Sequence, residues 1–121
     1  MISTGIDIIE VDRIDRAILR HGQRFFDRFY TGQELIDACG RTPALAARFA
    51  VKEAVAKALG TGIGKVGWKD IEVRLNHCGK PELYLHGEAR TKAEEIGVDS
   101  WCISISHTRF HAVAIAIASG L

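Results

Sequence analysis

The chain has 121 residues, of which 47% are hydrophobic and 26% are charged, which suits one domain with one core over residues 1–121. Its formal net charge of +1 argues against a general polyanion, so we expect no nucleic-acid partner. No apolar run approaches the roughly 18 residues that a membrane-spanning helix needs, so we expect no membrane partner either.

The sequence begins with a strand pattern that changes to a helix pattern. Isoleucines on both sides of Asp7 predict a buried strand from Thr4 to Ile9. Apolar residues then recur at helical spacing and predict a helix over 11–21, with Gly22 as its stop. Five arginines lie between residues 13 and 28 against two aspartates, which predicts a local basic surface suited to an acidic partner.

Two start signals predict the next two helices. Thr31 and Glu34 have the spacing of a capping box, which predicts a short helix that runs to Gly40. Thr42 is the predicted N-cap of a longer, alanine-rich helix over 43–59 that begins with a proline.

The second half of the sequence has the period of strands. Ile71, Val73 and Leu75 alternate with charged residues, which predicts a half-exposed strand. Turns and further apolar alternation predict the remaining elements. These are strands over 83–85, 101–105 and 113–117 and a short helix over 88–96.

Both faces of the last strand are apolar, so we expect both to be covered. Val113, Ile115 and Ile117 form one face, and alanines alternate with them on the other. The alanine face permits a close approach, either by a helix of the same chain or by another subunit. The pattern leaves these two alternatives open.

The cysteines and the N-terminus indicate a cytoplasmic protein. Cys39, Cys78 and Cys102 are odd in number and far apart, which argues against a disulfide framework or a structural zinc site. Residues 1–7 lack the basic region and apolar stretch of a secretory signal. We therefore expect reduced thiols in the cytoplasm.

Two carboxylates stand out as candidate metal ligands. Asp7 lies inside an apolar strand, where the common explanation is a salt bridge to an arginine. Phe49, Glu53 and Lys57 share one stripe of the long helix, and a Glu53–Lys57 surface pair is the ordinary interpretation. The functional interpretation is that two carboxylates on separate elements, with phosphate oxygens and waters, hold Mg²⁺.

Two further motifs carry little information when each is taken alone. The loop over 60–67 is rich in glycine, and its backbone N–H groups could hold phosphate, although a flexible linker is the usual explanation. His107 follows a strand beside two polar side chains, where a lone histidine is usually structural. The pattern of a hydrolase nucleophile is missing.

Taken together, three segments resemble the bacterial holo-acyl-carrier-protein synthases, the small type of 4′-phosphopantetheinyl transferase. These are Gly-Ile-Asp-Ile at 5–8, the Arg-Phe-Ala-Val-Lys-Glu-Ala run with its Lys-Ala-Leu-Gly-Thr-Gly extension over 48–62, and Ser-Ile-Ser-His-Thr at 104–108. The resemblance implies an α+β fold with an antiparallel sheet packed against a long helix. It implies a homotrimer with active sites at the subunit interfaces.

The resemblance also implies a reaction and its residues. Coenzyme A would donate phosphopantetheine to a serine of apo-acyl carrier protein, with Mg²⁺ as cofactor and 3′,5′-ADP as product. Asp7 and Glu53 match the metal ligands, and Lys57 matches a lysine near the pyrophosphate, so Glu53 and Lys57 are the expected catalytic residues. The other matches are Gly60, Thr61, Gly62, His107 and Thr108 at the coenzyme A site, and Arg13 and Arg20 facing the acidic carrier.

Several alternatives remain open. The general base is either Glu53 or a water held by the ion. A non-catalytic module that binds carrier protein or nucleotide would bind coenzyme A without forming product, and a metal-dependent phosphohydrolase would release phosphate. The presence of both carboxylates and Lys57 argues against the binding module, and the small number of metal-ligand candidates argues against the hydrolase.

Overall fold

The computed structural model describes residues 1–121, which form five strands and five α-helices. The strands are β1 (Ile2–Glu10), β2 (Ile71–Leu75), β3 (Pro81–Leu85), β4 (Ser100–His107) and β5 (His111–Ser119). The helices are α1 (Val11–His21), α2 (Gln23–Phe29), α3 (Gly32–Ala38), α4 (Thr42–Leu59) and α5 (Gly87–Glu95). No helix combines the length and hydrophobicity that crossing a membrane requires.

The strands form two antiparallel sheets, one ordered β1-β5-β4 and one made of β2 and β3. The three-stranded sheet packs with one face on α4, which confirms the predicted α+β class with an antiparallel sheet against a long helix. The alanines of β5 point toward α4 and are almost completely buried. A helix of the same chain therefore covers the alanine face, and the alternative of a second subunit there is wrong.

The opposite face of this sheet is apolar and exposed. Alternate residues of a strand point to opposite faces, so the even-numbered residues of β1 point away from α4. Ile6 and Ile8 are 60% and 65% exposed, so the prediction that they are buried is wrong within one chain. They are aligned with Ile115 and Val113 of β5. The apolar members of this outer sheet face are Ile2, Ile6, Ile8, Val113, Ile115 and Ile117.

Three features hold β1 against α4. Gly5 lies so close to the helix that a Cβ atom on it would stand 1.8 Å from the Ala54 carbonyl oxygen. The Ser3 hydroxyl donates a hydrogen bond of 2.6 Å to the carbonyl oxygen of Ala58. The Lys57 ammonium on α4 donates hydrogen bonds to the Ile6 carbonyl oxygen and to Asp7 Oδ1 on β1. The absence of a side chain at Gly5 thus permits the close approach of the two elements.

Helix α2 was not predicted, because its sequence mixes aromatic and charged residues without a clear apolar stripe. Two other boundaries differ from expectation. Helix α3 begins with the predicted capping box but ends at Ala38, because Cys39 adopts a left-handed conformation with φ 52°. The N-cap of α4 is Arg41, and the Thr42 hydroxyl instead donates to Asp15 Oδ1 at 2.6 Å.

Strand β2 departs from its predicted half-exposed pattern. Glu72 is buried, because the start of α3 covers it and its carboxylate accepts a 2.6 Å hydrogen bond from the Thr31 hydroxyl. Arg74 and His86 also contact this carboxylate, and hydrogen bonds from these groups hold the pKa of Glu72 below its usual value against the opposing effect of burial. A polar network thus anchors β2 to α3.

A fully buried ion pair joins α3 and α4. Lys52 Nζ lies 2.8 Å from Glu34 Oε1, and both side chains are completely buried. Lys52 also donates to the carbonyl oxygens of Trp68 and Ile71. Each ammonium proton therefore has an acceptor, which is the condition under which a buried charge is tolerated. This contact positions α4 relative to β2.

Candidate active site

The side chain of Asp7 lies between β1 and α4 and is only 15% exposed. Lys57 Nζ, on the last turn of α4, lies 3.2 Å from Asp7 Oδ1 and donates a 2.8 Å hydrogen bond to the carbonyl oxygen of Ile6. The partner of Asp7 is thus a lysine, where the strand pattern alone suggested an arginine. The surface pair between Glu53 and Lys57, which is the ordinary interpretation of this stripe, is not formed, since Lys57 contacts Asp7 instead.

Glu53 lies one turn before Lys57 on α4 and shares its electrostatic surroundings with Asp7. Burial raises the pKa of Glu53, and the negative charge of Asp7 raises it further. The positive charges of Lys57 and Arg13 oppose this shift. The two carboxylates from β1 and α4 are therefore close enough to repel each other, and this repulsion makes the site favourable for an added cation.

The donor atoms at this position suit a hard divalent cation such as Mg²⁺. Carboxylate oxygens are the protein ligands that Mg²⁺ prefers, and the ion usually takes one or two of them together with phosphate oxygens and waters. The chain has no group of three or more histidine, cysteine, aspartate or glutamate side chains that could hold a metal. The pair therefore suits an ion that a phosphorylated ligand completes.

The first three backbone N–H groups of the glycine-rich loop, at residues 60–62, cannot hold phosphate because each already has a hydrogen-bond partner. The N–H of Gly60 is bonded to the carbonyl of Lys57, and those of Thr61 and Gly62 are bonded to the carbonyl of Ala56. These bonds close the C-terminal end of α4, whose dipole also disfavours an anion. The hydroxyl of Thr61 is buried and has no hydrogen-bond partner. The backbone N–H groups of residues 60–62 are therefore not free to bind a ligand.

Within one chain, His107 and Thr108 do not meet the carboxylates. Both are exposed at the end of β4, and strand β5 lies between β4 and β1. The Thr108 hydroxyl accepts hydrogen bonds from the N–H groups of Phe110 and His111, which fixes the β4–β5 turn. The structure thus brings Asp7, Glu53 and Lys57 together and leaves His107 and Thr108 at the far edge of the sheet, beyond β5.

A groove of about 350 Å³ runs between α1 and α2 beside this site. Its floor is aromatic, and Phe49 connects it to Glu53, which lies one turn further along α4. The rings of Phe29 and Phe49 pack against Trp68, with centroid distances of 4.8 and 4.5 Å. The rim of the groove is cationic because three of its residues are arginines. It carries Arg13, His21, Arg24 and Arg28.

The two predicted partner-binding arginines occupy different places. Both Arg13 and Arg20 are exposed on α1, but only Arg13 lines the groove and lies near Glu53. Arg16, on the same predicted face, is paired with Asp12 at 3.0 Å. Arg24 and Arg28 were not identifiable from the sequence as individual site residues, because helix α2 has no clear helical pattern. The four-residue spacing of these two arginines was the available signal.

Comparison with known proteins gives concordant matches along the chain. The model of the 4′-phosphopantetheinyl transferase superfamily matches residues 3–117. The holo-[acyl-carrier-protein] synthase of Herpetosiphon aurantiacus is 43% identical over 127 residues, covering 99% of this chain and all of its own length. The protein of that name from Carboxydothermus hydrogenoformans is 50% identical over 120 residues, covering 97% of each chain.

Solved structures give the same result. The crystal structure of Helicobacter pylori holo-[acyl-carrier-protein] synthase in complex with coenzyme A matches with a TM-score of 0.88 at 31% identity. The match covers 96% of this chain and 99% of that one.

Proposed function

This chain belongs to the 4′-phosphopantetheinyl transferase superfamily, as a holo-[acyl-carrier-protein] synthase, and we propose that it transfers phosphopantetheine from coenzyme A to apo-acyl carrier protein in a Mg²⁺-dependent reaction. The observation that supports this proposal most directly is the meeting of Asp7, Glu53 and Lys57 between β1 and α4. The Helicobacter pylori relative, solved with coenzyme A, supports coenzyme A as the donor.

Asp7 and Glu53 are the residues that would hold the divalent ion. A bound Mg²⁺ would reduce the charge on the diphosphate of coenzyme A and on the departing 3′,5′-ADP. Lys57 adds its positive charge to the phosphoryl oxygens from the same side of the site. Phosphoryl transfer depends mainly on positioning and on neutralising charge, so the chain needs no nucleophile of its own.

The reaction exchanges one phosphorus–oxygen bond for another. The serine oxygen of the carrier attacks the β-phosphorus of coenzyme A in line, and the bond from that phosphorus to the bridging oxygen of 3′,5′-ADP breaks. The serine proton must leave as the new bond forms. Glu53 is the candidate acceptor that this chain offers, because its carboxylate lies at this site.

The outer sheet face is the surface that we assign to a homotrimer. Soluble proteins rarely leave a contiguous apolar surface of this kind uncovered. The site of one chain also lacks His107 and Thr108, which lie at the far edge of the sheet with β5 between them and β1. A ring of three copies joined through the outer sheet face would allow these residues to reach the carboxylates of a neighbour.

We expect native mass spectrometry to give three times the 13.3 kDa mass of the chain. A lysine in place of Ile115, at the centre of the outer sheet face, should produce monomers, because its charge would be buried at the contact. Lys69→Glu, an exposed substitution away from this face, is the control. A monomeric wild-type protein with full transferase activity would exclude the shared site.

The groove between α1 and α2 is the proposed docking surface for the carrier protein. Its cationic rim suits an acidic partner, and its aromatic floor offers an apolar contact that leads toward Glu53. Arg13 lies at the end of the groove nearest the carboxylates. A carrier docked there would present its serine at the reacting phosphorus.

Charge reversal tests this surface. We expect Arg13→Glu combined with Arg24→Glu, two arginines that line the groove, to raise the KM for the carrier by about tenfold or more and to weaken its dependence on salt, because complementary charge accelerates encounter. The KM for coenzyme A should change much less. Lys69→Glu combined with Lys80→Glu changes the net charge equally at exposed lysines elsewhere and should leave both constants near wild type. Unchanged carrier kinetics in the double variant would place the dock on another surface.

The proposed function is tested by weighing the carrier after incubation with the protein, coenzyme A and Mg²⁺. A mass gain of one phosphopantetheine group is the expected result, and its loss on chelation of the metal would support the proposed dependence. Bound coenzyme A with an unchanged carrier would support a binding module instead. Released inorganic phosphate with an unchanged carrier would indicate a hydrolase.

A further inference from the structure

The chain already places a cation of its own at the proposed metal ligand. The Lys57 ammonium lies 3.2 Å from Asp7 Oδ1 and is also held by the Ile6 carbonyl oxygen at 2.8 Å. We propose that Lys57 occupies the cation position at Asp7 until coenzyme A binds and then moves to the pyrophosphate, so that donor and divalent ion bind cooperatively. This inference rests on the proposed function and adds a coupling between its two ligands.

The two cations compete for the same carboxylate. Asp7 is mostly enclosed between β1 and α4, so a divalent ion has few ways to approach it. An ion on Asp7 Oδ1 would lie within a few ångströms of an ammonium group that contacts the same atom. Like charges at that separation repel strongly when solvent is partly excluded. The divalent ion should therefore bind weakly while Lys57 stays in place.

The Lys57 ammonium is free to move away from Asp7, whereas Lys52, the other lysine of α4 that forms an ion pair, is held in place. The side chain of Lys57 is 52% exposed, and its contacts are one carboxylate oxygen and one carbonyl oxygen. Lys52 is fully buried, with three acceptors for its three protons. A half-exposed ion pair is worth little, and the flexible lysine stem allows the ammonium to swing.

The pyrophosphate of coenzyme A supplies the alternative partner. Its negative charges attract the ammonium away from Asp7, which frees a carboxylate oxygen for the divalent ion. Coupling of this kind is reciprocal, so the ion should strengthen coenzyme A binding by the same factor. Removal of the ammonium should strengthen binding of the ion alone and should reduce the coupling.

The test measures Mn²⁺ affinity by electron paramagnetic resonance, with and without coenzyme A and without carrier, so that no turnover occurs. In the wild type, coenzyme A should raise Mn²⁺ affinity by about tenfold, within the usual range of coupling energies. Lys57→Met should bind Mn²⁺ alone several times more tightly than wild type. Its response to coenzyme A should be smaller, because only direct phosphate contact with the ion remains.

Lys69→Met is the matched control, since it removes the same charge from an exposed lysine that contacts neither carboxylate. It should behave as wild type in both measurements. Lys57→Gln provides a second variant if Lys57→Met folds poorly. Equal Mn²⁺ affinity of Lys57 variants and wild type in the absence of coenzyme A would overturn the inference.

The failure of this inference can be separated from failure of the proposed function. If Mn²⁺ binding is lost in Asp7→Asn but the Lys57 variants behave as wild type, the metal site stands and the exchange of cations is wrong. If Asp7→Asn binds Mn²⁺ as well as wild type does, or if no form binds the ion even with coenzyme A, both the metal site and the inference are wrong.

Discussion

Asp7→Asn and Glu53→Gln should each lower kcat/KM for phosphopantetheine transfer by about a hundredfold or more, because each removes a negative charge that would hold the divalent ion at the reacting diphosphate. Both substitutions preserve size and change only the charge and one hydrogen-bonding atom. The measurement is the rate of mass gain of the carrier at saturating Mg²⁺. Glu10→Gln, which removes an exposed carboxylate from the same strand as Asp7, should keep nearly full activity.

The stability of Glu53→Gln distinguishes a functional carboxylate from a structural one. The pKa of Glu53 is raised in the folded chain, so the folded state binds its proton more tightly than the unfolded state does. Stability therefore falls as the pH rises through the window between the two pKa values, and the ionised carboxylate is unfavourable at neutral pH. Glu53→Gln should be at least as stable as wild type at pH 7 in urea unfolding. A variant that is both active and less stable would contradict the assigned function.

Gly5→Ala should damage both the fold and the reaction. Its methyl group would stand 1.8 Å from the Ala54 carbonyl oxygen, so β1 and α4 must separate. Overpacking of this kind costs about 1–3 kcal/mol of unfolding free energy, and more when backbone atoms are the obstacle. The separation also moves Asp7 away from Glu53 and Lys57, so we expect transfer to fall by about tenfold or more even in the folded fraction.

The measurements for Gly5→Ala are the urea midpoint and the rate of transfer at a temperature where the variant is folded. Gly32→Ala is the matched control, because a Cβ atom at Gly32 meets nothing within 4 Å and Gly32 opens helix α3. Its stability should stay within about 0.5 kcal/mol of wild type. A Gly5→Ala variant as stable as this control would show that the contact between β1 and α4 is not as tight as described.

The elements with clear local signals were predictable from the sequence. The alternation of β5 and the capping box at Thr31 both depend on residues that are close in the chain, and both occur in the structure. The run of isoleucines did not reveal which face of β1 is buried. The buried face is the one that contains Gly5, because this residue permits the close contact with α4. The exposure of Ile6 and Ile8 follows from that distant contact.

The composition of the candidate site was easier to predict than its contacts. Asp7, Glu53 and Lys57 were identified from the sequence, and the structure brings them together. The pairing of Lys57 with Asp7, in place of Glu53, depends on how β1 crosses the last turns of α4. The burial of Glu72 likewise depends on contact with α3, which an alternating pattern does not reveal. The site assignments, the trimer and the cytoplasmic location remain predictions.

Two adjacent residues of helix α4 point in different directions and have different functions. Lys52 points into the interior to meet Glu34, and its neighbour Glu53 points toward Asp7. One inserted or deleted residue before this pair would rotate it by about 100° relative to the preceding turns. Such a change would turn Lys52 away from Glu34 and, at the same time, turn the Glu53 carboxylate away from Asp7. Length variation among related chains should therefore be absent from the middle of α4 and concentrated in surface turns such as residues 76–80.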